Sequence, residues 1–233
     1  MKLPIFKCRA SATGQIMTNP RSGKGLSATC VTHLEDWAKQ QLYQRRKEFK
    51  SKQTTKGLER EDASIVFAGQ HFGWEGAIKC TEQFEDDFFT GMPDVILPHS
   101  VEDIKNAWDA FTFPLFATKI PAKMKGYEYQ GRTYMALTGK ENFGLVYTLM
   151  DAPESIVEKE ARYKMYDSGE EELSVALFNE VKAHLSYEHL APALRINRFA
   201  IEADAVILAQ MQQRVLDCRA YIETHIQPKF QKL

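Results

Sequence analysis

Apolar positions recur at more than one period along the chain, and the changes of period divide it. Ser11 is a candidate N-cap before a short segment that ends at Pro20, and Arg21 to Gly25 (RSGKG) reads as a glycine-bearing loop. A helix is predicted from Ser27, because Val31, Leu34, Ala38 and Leu42 recur at three- and four-residue steps and form a core stripe. Another is expected from about Gly57, carrying Glu61, Ile65 and Val66. Four strand-like pieces follow at 76–82, 88–91, 95–97 and 101–105, a meander at the middle of the chain. Tyr127, Gln130, Tyr134 and Leu137 mark one face of a helix closed by Gly139, and 143–149 (FGLVYTL) has the continuous apolar character of a buried strand. A long closing helix from Asp204 to about His225 runs through Ile207, Met211, Val215, Cys218 and Ile222. Helix, meander, helix and strand in this order predict a mixed α/β domain.

The expected organisation is one domain: a basic helical part over 1–60, a core over 61–150, an acidic insertion or lid over 153–188, and the closing helix over 204–230. No internal repeat, low-complexity tract or linker interrupts it. With 233 residues and 44% hydrophobic content, the chain can bury a substantial core. No apolar run approaches the ~20 residues of a membrane span, and Met1 to Lys7 is followed by polar residues where a signal peptide would need an apolar stretch, so a cytoplasmic location is expected. Cys8, Cys30, Cys80 and Cys218 lie far apart without a CxxC, which argues against a disulfide framework, a zinc ribbon or an iron–sulfur cluster. They read as ordinary reduced cysteines.

Charge changes the picture more than composition does. Residues 1–60 hold 13 Lys/Arg and four Asp/Glu, a local net of +9, against −10 for the remainder. The densest part, Lys39 to Arg60, sets eight cations against Glu48 and Glu59. Such a stretch is either a phosphate-binding surface, with Arg45, Arg46 and Lys47 at its centre, or a solvated helix face. Other candidate chemistry is thinner. The GKG at 23–25 lacks the upstream glycine and following Ser/Thr of a Walker A loop, and the six histidines show no HxH or HExxH spacing, although His99 lies between two acidic motifs. Trp108, Phe111, Phe113 and Phe116 read as core aromatics, with a stacking platform for nucleic-acid bases as the alternative.

The informative segment is 91–105, GMPDVILPHSVEDIK. Asp94 falls just after one strand, and strand alternation puts Asp103 and Lys105 on one face of the next with Ile104 turned to the core. Two carboxylates and a lysine then converge. Hard carboxylate oxygens bind Mg²⁺, bound metal lowers the pKa of water, and a lysine can orient that water beside a phosphodiester.

With Glu61 on a preceding helix and Gln130-xxx-Tyr134 on a following one, the segment resembles the PD-(D/E)XK nuclease superfamily, in particular its lambda-exonuclease-like (YqaJ viral recombinase) members. Ala10-Ser11, Pro20 and Arg21-Ser22-Gly23-Lys24 resemble the opening segment of that family as well. The resemblance runs from about Arg9 to Leu149 and implies a restriction-endonuclease-like core. It implies Glu61, Asp94, Asp103 and the Ile104 carbonyl as ligands of one or two Mg²⁺ ions, with Mn²⁺ substituting. Lys105 would position the attacking water, supported by Gln130 and Tyr134, and Arg9 and Ser11 would hold a DNA 5′-phosphate. Glu59 remains an alternative to Glu61, since residues two apart on a helix face opposite ways and only one can meet Asp94. The implied activity is 5′→3′ exonuclease on double-stranded DNA ends in phage-type recombination, with a single-strand annealing protein as partner and a homo-oligomer, a ring trimer by resemblance, as the assembly. An endonuclease or repair nuclease of the same superfamily and a non-catalytic DNA-binding protein are the alternative readings.

Overall fold

The computed structural model describes residues 2–21, 23–47 and 51–230. Ser22 of the RSGK segment and Glu48 and Lys50 of the basic stretch lie outside the described residues. The central sheet has the order β4 (Val95–Ile96), β5 (Ser100–Asn106), β6 (Asn142–Thr148), β7 (Ile196–Glu202). Its β5–β6 pair is parallel and the two outer pairs antiparallel, so the sheet is mixed. The parallel pair requires a crossover. That crossover is α4 (Gly126–Thr138), closed by Gly139 in the left-handed conformation at φ 68°.

Three layers result. On one face Val101, Phe143, Leu145 and Phe199 pack with Tyr134 and Met135 of α4. On the other, Val95, Ile104, Val146 and Ile196 pack with Ile65 and Ala68 of α3 (Lys52–Phe72). Gly131 brings α4 down on the sheet, because a Cβ there would enter the Phe143 ring. On the α3 face Gly144 leaves room for an ion pair that crosses β6. Glu102, 0% exposed, reaches Arg198 on β7 at 2.7 and 2.9 Å and accepts a 2.6 Å hydrogen bond from Ser100. A side chain at 144 would displace both partners.

A second, small sheet holds β1 (Cys8–Arg9), β3 (Phe89–Gly91) and β2 (Phe84–Glu85), with β3 in the middle. The expected meander is therefore split between two sheets, and 76–82 contributes only an isolated bridge from Lys79 to Val95. A further core joins α2 (Ala28–Tyr43) to α7 (Ala205–Tyr221) through Cys30, Leu34, Ala38, Met211, Val215 and Cys218. Ser27 caps α2 by accepting from Cys30 N at 3.0 Å, as its position predicts, while Val31 is only half-buried. Asp204 caps α7, which continues through a π-helical turn, Ile222–Ile226.

Other boundaries move. The helix expected from Gly57 begins at Lys52, capped by Ser51, whose hydroxyl accepts from Thr54 N. Leu58 is 70% exposed, and the buried positions are Lys56, Ser64, Ile65 and Ala68. Ser11 caps no helix: it lies inside a 3₁₀ turn, Ala10–Ala12, that runs into the four-residue α1 (Thr13–Ile16). The acidic 153–188 segment contains two helices, α5 (Glu154–Ser168) and α6 (Val175–His184), packed on each other around Ile156, Val157, Ala161 and Val181. Among the described residues no helix is long and apolar enough to cross a membrane.

Candidate active site

β5 and α4 carry most of the site. Alternation along β5 sends Ile104 to the α3 face and leaves Asp103 and Lys105 toward α4, where their charges meet 2.6 Å apart. Asp94, three residues after the end of β3, turns back on β5 and accepts a 2.6 Å hydrogen bond from Ile104 N. From α4, Gln130 Nε2 donates to Asp103 Oδ1 at 3.1 Å and to Tyr134 Oη at 3.0 Å. Tyr127 lies beneath the Lys105 ammonium, 5.3 Å from ring centroid to nitrogen. The residues read from the sequence as Asp94, Asp103, Lys105, Gln130 and Tyr134 are thus brought together.

The electrostatics follow from burial. Asp94 is pushed up to about 7, first by loss of water and then by the Asp103 carboxylate, against smaller downward pulls from Lys105 and the Ile104 N–H. Burial draws Lys105 down, but Asp103 and Asp94 outweigh it and the net shift is upward. Burial likewise holds the Tyr134 hydroxyl in its protonated form, with Asp103 adding to the effect.

Glu61 approaches from α3 and adds to the charge felt by Asp94, but its carboxylate is paired with Lys79 at 3.0 Å. Glu59 turns elsewhere and accepts from Ser155 Oγ at 3.2 Å. Among the described residues no three acidic, His or Cys side chains converge closely enough to hold an ion. Two observations nevertheless fit a cation. The adjoining carboxylates of Asp94 and Asp103 share one lysine, and buried Asp103 Oδ2, although 2.6 Å from Lys105 Nζ, receives no well-directed hydrogen bond. Glu61 would complete the donor set by leaving Lys79, a partly exposed ion pair worth at most about 1 kcal/mol.

Ser11 is exposed beside a cavity of about 240 Å³ lined also by Gln15, Lys123, Tyr127 and Gln130, so it borders the site from the α1 side. Lys123 is a cation there that periodicity did not reveal; its signal was position, seven residues before Gln130. Arg9 is exposed and is not among the lining residues. A larger cavity, about 650 Å³, lies between the N-terminal Lys2–Phe6 segment and Arg219, Ile222 and Gln227 and is lined by none of the candidate site residues, so volume is no guide to chemistry here.

The basic stretch is largely committed to internal contacts. Lys39 and Lys47 both pair with Asp36, Lys52 with Glu160, and Arg60 donates to the carbonyls of Asp151 and Ala152. Lys56 is buried and donates to the carbonyls of Ala107 and Trp108 at 3.0 and 2.9 Å. Arg45 and Arg46 are exposed, beyond the end of α2.

A mixed four-stranded sheet between helices, with an acid before β4 and an acid and lysine on β5, is the restriction-endonuclease-like fold. The structure is similar to that of a phage-related exonuclease from Haemophilus somnus 129PT, with TM-score 0.79, 24% identity and 97% of each chain covered. It is also similar to an alkaline exonuclease from Laribacter hongkongensis, solved alone and in complex with dAMP, with TM-score 0.63, 18% identity, and 97% of this chain and 92% of that one covered. No protein-family model matches the chain. No curated protein matches it either.

Proposed function

We propose that the chain is a Mg²⁺-dependent deoxyribonuclease, an exonuclease working 5′→3′ from double-stranded DNA ends. The observation that carries the reading is the joining of Asp94, Asp103, Lys105 and Gln130 at one end of β5, in a fold shared over 97% of the chain with an exonuclease. Glu61, Asp94, Asp103 and the Ile104 carbonyl would hold one or two Mg²⁺ ions, with Mn²⁺ able to substitute. Bound metal would supply Lewis acidity toward the scissile phosphate and a water of lowered pKa.

The chain's own groups divide the remaining work. Lys105, kept cationic by its two carboxylates, is no general base; it orients the attacking water and offsets charge that develops on the phosphate. Gln130 fixes the rotamer of Asp103 through Nε2 and couples it to Tyr134. Ser11 and Lys123 border the cavity proposed for the 5′-phosphate, and Arg9, which does not line it, is proposed to reach the same phosphate from β1. Arg45, Arg46 and Lys47 contact the duplex backbone. The setting proposed is phage-type recombination in a bacterial cytoplasm, as a homo-oligomer working with a single-strand annealing protein.

Incubating a 5′-phosphorylated linear duplex and a closed circle with Mg²⁺ tests this. Mononucleotides from the linear substrate alone are expected. Cutting of the circle would replace the reading with an endonuclease, and activity retained in Asp94→Ala would remove the metal site.

A further inference from the structure

The loop that leaves β5 just after Lys105 leads back to α4, and it is anchored along much of its length. Lys56 holds the carbonyls of Ala107 and Trp108. Asp109 accepts from the N–H groups of Phe111 and Thr112 at 3.1 and 2.8 Å. Asn197 of β7 donates to the carbonyls of Pro114 and Ala117 at 2.7 and 3.1 Å. Phe113 and Ile120 are buried in the core between sheet and α4. A segment fixed in this way has the means to bury its apolar side chains, yet Phe111 is 98% exposed and Phe116 94% exposed, one on each side of the buried Phe113.

Charge indicates what covers these rings. From Ala110 to Tyr127 the chain contains Lys119, Lys123 and Lys125 and no acidic residue. All three lysines are exposed, and none pairs with a carboxylate among the described residues. Lys123 lines the cavity that reaches Gln130, which ties the far end of the loop to the candidate active site. Exposed aromatic faces beside unpaired cations match the chemistry of single-stranded nucleic acid, whose bases stack on rings while its phosphates meet ammonium groups. Duplex DNA hides its base faces and would leave the rings bare.

We infer that Phe111 and Phe116 form a stacking platform for unpaired bases, with Lys119, Lys123 and Lys125 tracking the attached phosphates. This rests on the nuclease reading for its location and names the form of DNA the site takes: a strand whose bases are already unstacked where it meets Lys105.

The test measures binding to the full chain without divalent metal, so that turnover plays no part. The probe is a 5′-phosphorylated duplex with a short single-stranded 5′ extension carrying 2-aminopurine, compared with the same duplex made blunt. Wild type should quench the 2-aminopurine and prefer the extended probe. Phe111→Ala/Phe116→Ala should lose the quenching and bind the extended probe about ten- to a hundredfold more weakly, with blunt-duplex affinity nearly unchanged. Because both rings lie outside the core, the variant should keep its melting temperature. Phe111→Leu/Phe116→Leu should behave like the alanine pair, and Phe111→Tyr/Phe116→Tyr should restore quenching, which separates ring stacking from general hydrophobicity. Equal quenching and affinity in wild type and the alanine pair would overturn the platform. So would a change in sedimentation between them, which would mean that the rings cover a second copy of the chain. Failure of wild type to cleave any DNA with Mg²⁺ would sink the nuclease reading separately, since the binding measurement does not depend on it.

Discussion

Lys105 and Lys56 are both drawn at least partly out of water, and their proton affinities move in opposite directions. Lys105 lies on the central sheet beside two carboxylates, and its ammonium is held more firmly than in water. Lys56 comes from the densest cationic stretch of the chain. It meets two backbone carbonyls and the Tyr187 ring 5.6 Å away, and burial pushes it down to about 8 despite weaker upward pulls from Asp151 and Asp109. Carbonyl dipoles satisfy hydrogen bonds without offsetting a full charge, whereas a carboxylate does both. The density of cations along the sequence thus says little about which of them face a ligand; the partner waiting in the fold decides.

The largest expected effect comes from breaking the Lys105 side of the comparison. Lys105→Met should lower the rate of cleavage by about 10²- to 10³-fold, as the loss of one preorganised electrostatic group does elsewhere. Because it strands Asp103 beside Asp94, it should also cost about 3 kcal/mol of stability. Asp103→Asn/Lys105→Met, which removes both charges, should recover much of that stability and no activity. Single-turnover cleavage and thermal unfolding read the two quantities separately, and near-wild-type turnover in Lys105→Met would end the assignment.

On the Lys56 side the effect is on stability and its sign is fixed by the direction of the shift. The folded value of about 8 lies below the usual 10.5, so between those limits the unfolded chain binds the extra proton. Its contribution to stability should therefore rise from pH 8 to pH 10.5 by up to about 3 kcal/mol, while the buried Cys8 thiol, pushed up from 9.0 by loss of water, contributes in the opposite sense above that pH. Lys105 adds nothing in this window, since a raised folded value gives stability present below 10.5 and lost only at higher pH. The change in urea midpoint from pH 8 to pH 10 should be more favourable in wild type than in Lys56→Met; an equal change in both would assign it to other groups.

Smaller effects separate the exposed cations. Arg45→Ala/Arg46→Ala should flatten the dependence of log affinity on log salt by up to ~0.9 per phosphate contact, so by at most about 2. Lys47→Ala, whose charge already meets Asp36 at 2.7 Å, should change the slope less. A slope unaltered in both variants would remove this stretch from the binding surface. The smallest change is expected from Lys79→Ala, which frees Glu61. It should lower the Mg²⁺ concentration giving half-maximal rate by less than about fivefold, in keeping with a partly exposed ion pair.

The legible parts of the sequence were those where a local rule suffices. Alternation placed Asp103, Ile104 and Lys105 on their correct faces, Ser27 and Asp204 marked helix starts, and Gly139 marked a helix end. What stayed hidden depends on distant partners. Ser51 competes with Gly57 as a start signal, and a buried Lys56 inside a polar run imitates a solvated face until the carbonyls of Ala107 and Trp108 are in place. Strand β7 carries Asn197 and Arg198 at its start and Glu202 at its end, so its pattern was ambiguous without Glu102 to receive the guanidinium. The pairing of Lys79 with Glu61 joins an irregular segment to a helix, which no periodicity encodes.

Gly144 carries a consequence for mutational scans of this protein. It bears no functional group, yet any side chain there would evict Glu102, the residue adjoining Asp103, and would break its tie to Arg198. On the nuclease reading, substitutions at 144 should abolish cleavage as thoroughly as substitutions at 103, and a screen scored on survival or turnover alone would rank a glycine among the reactive groups. Scoring abundance of folded protein beside activity would move Gly144 to the architectural class and leave Asp103 where it belongs.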